Sequence, residues 1–195
     1  DDDNDGVEDA DDAFSIYEED NKLFLAIHIA DPTEHINIDS SLWKNIEERV
    51  VTRYPSNKKP IHMIPNEVME KSSLMVNKYG SLKMAITILT EIDKETYSPI
   101  NKIKLLFTKI KVKKENALSY YQAGSLFYSS HNISTCNMIS EAMFKKRSGK
   151  TKATILNEVS YSYVKYENNE PNLYKDSPTE RIMKHMIAEF AIFAN

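Results

Sequence analysis

Residues 1–12 read Asp1-Asp2-Asp3-Asn4-Asp5-Gly6-Val7-Glu8-Asp9-Ala10-Asp11-Asp12. They run into Ala13-Phe14-Ser15-Ile16-Tyr17, a polar step over 18–22, and the apolar run Leu23-Phe24-Leu25-Ala26-Ile27-His28-Ile29-Ala30. Apolar pieces on either side of a short polar step predict a β-hairpin whose second strand is buried. Asp31-Pro32 stops that strand, because proline offers no ladder donor and restricts the residue before it. The acidic piece ahead of the hairpin is a candidate cation site, since carboxylates at this density repel one another unless positive charge neutralises them. In an extended chain alternate side chains share a face, so Asp9 and Asp11 can point together. Asp12 joins them if the backbone bends, and Asp3 reaches the same point through a loop. Oxygen-only donors suit Mg²⁺ or Mn²⁺, with water and phosphate completing the shell. Two other readings stand beside this one. Asp1, Asp3, Asp5, Gly6 and Asp12 fit part of an EF-hand calcium loop, but Glu8 takes a normally apolar place and a strand pattern follows where a helix should exit. The third reading is a solvated acidic terminus that binds nothing.

Farther along, Asp39-Ser40-Ser41 offers N-caps for a helix running to about Arg53, where Tyr54-Pro55 ends it. β-branched residues over 83–90 and 103–112 predict strands, the second carrying Lys102, Lys104, Lys109, Lys111, Lys113 and Lys114 as a solvated basic edge. Residues 133–147 read as a helix with Cys136, Ile139, Ala142 and Met143 on one face, and 159–166 as a further strand before a polar turn over 167–170. The last helix carries the clearest signals, with Ser177 as N-cap, Pro178 in first position and Glu180 completing a capping box. Strands and helices intermix without a βαβ rhythm, which predicts an α+β fold with a mixed β-sheet core and surrounding helices. His28 reads as a hydrogen-bonded core histidine, and His35, His62, His131 and His185 show no ligand spacing.

With 41% hydrophobic and 28% charged residues over 195 positions, the chain is expected to fold as a single domain spanning 1–195. The lone Cys136 excludes an internal disulfide and fits a reducing, intracellular setting such as the cytoplasm. No apolar run approaches the roughly 20 residues that span a bilayer, so no membrane partner is expected. The net charge of −4 conceals an asymmetry: the first 20 residues hold 11 of the 29 acids and no Lys or Arg, leaving 18 acids against 25 Lys and Arg in the remainder. An acidic knot in a basic body suits chemistry in which carboxylates hold cations while lysines attract a polyanion.

Taken in order, several segments resemble the catalytic (RNB) domain of the ribonuclease II/R exoribonucleases. Glu8-Asp9-Ala10-Asp11-Asp12-Ala13 looks like that family's acidic signature and Leu25-Ala26-Ile27-His28-Ile29-Ala30-Asp31 like the strand after it. Arg49-Val50-Val51-Thr52-Arg53-Tyr54, then Ile61-His62-Met63-Ile64-Pro65 with Ser73-Leu74, are similar to its next helix end and proline-bounded loop. Leu118-Ser119-Tyr120-Tyr121-Gln122 and Glu189-Phe190-Ala191-Ile192-Phe193-Ala194-Asn195 complete the match. The resemblance implies a hydrolytic 3′ to 5′ exoribonuclease acting on single-stranded RNA and releasing nucleoside 5′-monophosphates. It implies that Asp3, Asp9, Asp11 and Asp12 are catalytic carboxylates holding Mg²⁺, with Mn²⁺ as the alternative. Tyr54 and Tyr120 would stack on RNA, and Glu189 would support the site. The chain departs from the family at Ala188, where a second glutamate is usual. The family's later arginine-containing segment and its flanking cold-shock and S1 modules are not in this sequence, so the chain reads as the front and central part of the domain, with weak or no activity expected of it alone. A non-catalytic RNA-binding protein built on the same domain is the alternative.

Overall fold

The computed structural model describes residues 10–55, 58–149, 162–167 and 170–195. The hairpin forms as the sequence predicts: β1 (Asp12–Glu19) pairs antiparallel with β2 (Lys22–Ala30), from Asp12 opposite Ile29 to Glu19 opposite Lys22. Asp20 and Asn21 both take positive φ, 49° and 60°, which matches the twist of a two-residue hairpin turn and suits short polar side chains. β3 (Leu82–Ile92) adds to β2, and β4 (Pro99–Lys111) to β3, giving an antiparallel sheet in the order β1-β2-β3-β4.

Strand alternation sorts the central strands into two faces. Leu23, Leu25 and Ile27 of β2 and Ile88 and Ile92 of β3 form one side of the core. Two helices cover it: α4 (His131–Ser148) contributes Cys136, Ile139 and Met143, and α5 (Pro178–Ala194) contributes Met183, Met186 and Phe190. Phe190 meets Phe14 of β1 edge to face, with ring centroids 5.4 Å apart, so α5 packs beneath the strand that the acidic segment enters. On the opposite face His28 is buried in a polar row with Ser15 and Thr87. A separate hairpin pairs β5 (Ser162–Glu167) with β6 (Glu170–Lys175). The mixed α+β architecture is therefore observed.

Boundaries depart from the sequence reading where local conformation intervenes. α1 (Ser41–Arg49) is capped by Ser40, whose hydroxyl accepts from Trp43 N–H, but it stops four residues short of Arg53 because Val50 takes φ 66°. A β-branched residue is costly in that region. Here Arg49 donates to the His62 carbonyl, and Arg53 pairs with Ile61, drawing the chain away from the helix axis. The proline-bounded loop contains a short helix, α2 (Asn66–Ser72), and the segment holding Tyr120 forms α3 (Tyr120–Ser125). Among the described residues no helix is long and apolar enough to cross a membrane.

Candidate active site

The acidic segment reaches β1 held on both sides. Ala10 N–H donates to Ser73 Oγ at 3.2 Å, and the Ala10 carbonyl accepts from Leu74 N–H at 2.8 Å. The Asp11 carbonyl accepts from Ala30 N–H at 2.7 Å. Ser73 and Leu74 are themselves buried, so the main chain at 10–12 is seated against the end of α2 and the end of β2. That seating presents Asp11 and Asp12 to solvent as exposed carboxylates on a fixed backbone. Leaving β2, buried Asp31 accepts from Thr33 N–H (3.0 Å) and Thr33 Oγ1 (2.5 Å), capping a short 3₁₀ turn over Pro32–His35.

Tyr120 lies in the first turn of α3. Ser119 and Gln122 form a capping box there, with Ser119 N–H donating to Gln122 Oε1 and Gln122 N–H to Ser119 Oγ. Its ring is 43% exposed. Partial burial pushes the Tyr120 hydroxyl above its ordinary pKa, the negative charge of Asp12 adds to the rise, and Lys184 opposes it. Lys184 Nζ stands 5.6 Å from the Tyr120 ring centroid and 2.5 Å from Asp176 Oδ2, and the Asp176 side chain is only 2% exposed. Asp12, Tyr120, Lys184 and Asp176 thus form one neighbourhood drawn from β1, α3, α5 and the residue just ahead of the α5 cap.

Tyr54 and Glu189 are the other described site candidates. Tyr54 sits in the segment after α1, 78% exposed. Glu189 is 3% exposed, and its carboxylate receives Arg147 Nε at 3.2 Å and Arg147 Nη2 on its other oxygen. It tethers α5 to the end of α4 and is not part of the exposed acidic group. Asp3 and Asp9 lie outside the described residues. Among the described residues no group of three or more His, Cys, Asp and Glu side chains is placed to hold a metal ion, so Asp11 and Asp12 supply the right donor atoms without completing a shell. Lys184 and Asp176 escaped the sequence reading. An acid directly before an N-cap and a lysine eight residues on carry no motif, and only the approach of α3 to α5 gives them meaning.

The RNB domain family model matches residues 3–195. No curated protein matches the chain. Among solved structures, the Dss1 exoribonuclease of Candida glabrata is similar at a TM-score of 0.74 and 18% identity, over 97% of this chain and 26% of that one. RNase R of Mycoplasma genitalium, solved with ribose-methylated single-stranded RNA, aligns at 0.73 and 17%, over 97% of this chain and 30% of its own. Yeast Ssd1, a pseudonuclease, aligns at 0.67 and 19%, over 92% and 22%. The chain spans about a quarter of the length of these structures, from 22% to 30%.

Proposed function

From the premise that the chain belongs to the RNB-domain family, we propose that it is a metal-dependent 3′ to 5′ exoribonuclease that hydrolyses single-stranded RNA to nucleoside 5′-monophosphates. The observation that carries this reading is the clamped main chain at 10–12, which presents Asp11 and Asp12 to solvent, with Asp12 near enough to Tyr120 to act on it electrostatically. Two neighbouring carboxylates on a fixed backbone, close to an exposed aromatic ring, suit a phosphodiester that must be held while its terminal base is stacked.

Asp3, Asp9, Asp11 and Asp12 would hold the cation. The chemistry of the donor set agrees, since carboxylate oxygens are what Mg²⁺ and Mn²⁺ prefer. When bound, the ion supplies Lewis-acid activation of water and neutralises charge at the phosphate. The chain's own residues do the rest. The aspartates orient the scissile group, and Tyr120 and Tyr54 offer π-faces that accept any base, which fits degradation without regard to sequence. The basic remainder of the chain attracts the polyanion. A ribose 2′-hydroxyl contact would account for a preference for RNA.

The second reading, an RNA-binding protein without hydrolysis, is favoured by the likeness to a pseudonuclease and by Ala188 in place of the usual glutamate. The retained aspartates favour the first. Single-stranded RNA labelled at its 5′ end separates the two. With Mg²⁺ we expect a ladder that shortens from the 3′ end, and Asp11→Asn should slow it on the order of a hundredfold or more while RNA binding persists. Hydrolysis indifferent to Asp11→Asn overturns the proposal. RNA bound and left intact by the longest available form of the protein supports the second reading.

A further inference from the structure

We propose that Lys184 is a positioning residue for Tyr120: its ammonium, fixed by the buried Asp176 carboxylate, holds the Tyr120 ring at the acidic group so that the terminal base of the RNA meets a pre-set stacking surface. The inference deepens the exoribonuclease reading, and rests on it for what Tyr120 stacks against.

The need for such a device follows from α3 itself. The helix is six residues long, Tyr120 is its first residue, and so short a helix gains little stability from its own hydrogen bonds. A partly exposed ring at that position has rotamer freedom unless something outside α3 restrains it. Lys184 is built to do this. It projects from α5, whose start is locked by a capping box between Ser177 and Glu180 and whose neighbouring turns bury Met183 and Met186. Its ammonium has little liberty, because Asp176 is almost fully buried and a buried carboxylate requires a charged or hydrogen-bonding partner. The face of the Tyr120 ring then lies 5.6 Å from a cation that is itself anchored, an arrangement with both attraction and direction. Asp12 also acts electrostatically on the Tyr120 hydroxyl.

The rival explanation is that Asp176 and Lys184 merely stabilise the start of α5. Tyr120 replaced by 3-fluorotyrosine reports on the ring without RNA. Fluorine NMR should give one sharp signal for the unaltered chain and for Lys184→Arg, and a broadened signal shifted towards that of solvated tyrosine for Lys184→Met. Because Lys184→Met deprives the buried Asp176 carboxylate of this ammonium and could unfold the start of α5, Lys184→Met/Asp176→Asn is measured alongside and should behave in the same way. In an Asp11→Asn background, RNA ending in 2-aminopurine reads stacking as fluorescence quenching. We expect Lys184→Met to weaken the quenched complex about two- to fivefold and Lys184→Arg to restore it. A sharp, unshifted fluorine signal in both methionine variants overturns the proposal, as does a loosened ring with quenching unchanged. If the unaltered chain neither binds nor cleaves RNA, the exoribonuclease reading fails, and the fluorine signal alone decides whether Lys184 positions the ring.

Discussion

His28 shows how much one side chain can organise. Thr108 Oγ1 donates to the Ala85 carbonyl at 3.2 Å, so Thr87 Oγ1, 2.5 Å away, donates to Thr108. Thr87 must then accept from His28 Nδ1–H at 2.8 Å, and His28 Nε2 accepts from Ser15 Oγ at 3.0 Å. This row crosses all four strands and assigns the neutral Nδ1–H tautomer to His28. Burial pushes the imidazole below its ordinary pKa. The unfolded chain, with histidine titrating near 6.5, therefore binds more protons as pH falls, and unfolding free energy drops with it. We expect urea-unfolding stability to be level in pH above about 6.5 and to decline below it, and His28→Gln to flatten that part of the profile. An unchanged slope in His28→Gln would contradict this. Replacement by leucine, which removes the Nδ1–H donor to Thr87 and the acceptor of Ser15 while Thr87 keeps Thr108, should cost about 1 kcal/mol at neutral pH.

Among the elements, the junction of α3 with α5 is the one on which the site depends. A Cβ added at Gly124 would lie 3.0 Å from Thr179 Oγ1 and 3.2 Å from the Glu180 backbone nitrogen. Alanine favours helix over glycine by about 1 kcal/mol, but the crowded atoms include backbone held by the α5 capping box, and overpacking of that kind costs about 1–3 kcal/mol. Crowding should win. We expect Gly124→Ala to lower the urea midpoint and to loosen Tyr120; equal or greater stability would show that α3 sits farther from α5. The sequence disclosed these elements unevenly. α5 was legible to the residue because Ser177, Pro178 and Glu180 announce its start, and the first hairpin because its apolar runs flank a polar turn. α2 and α3 were not, since seven and six residues are too few for a helical period to emerge. Tyr120 and the aspartates enter as site candidates through family resemblance, whereas Lys184, Asp176 and the ion pair of Glu189 with Arg147 depend on tertiary approach that no local pattern records.

At the level of the whole molecule, the fold brings chemistry from distant parts of the chain to one place. Asp12, Tyr120 and Lys184 are far apart in sequence. They meet because α4 and α5 cover one face of the sheet, α3 leans on α5, and the acidic segment enters at the adjoining edge strand. The opposite edge strand, β4, is exposed and carries Ile103, Leu105 and Phe107 beside its lysines, so the sheet is covered unevenly, with the site at its better covered side. Convergence of the aspartates and Tyr120 on one cation is the claim from which the chemistry follows, and Mn²⁺ added to the chain labelled with fluorotyrosine at position 120 measures it directly. We expect Mn²⁺ to broaden the Tyr120 signal in the unaltered protein and to leave it sharp in Asp11→Asn/Asp12→Asn. A signal untouched by Mn²⁺, or broadened equally in that variant, would contradict the assignment.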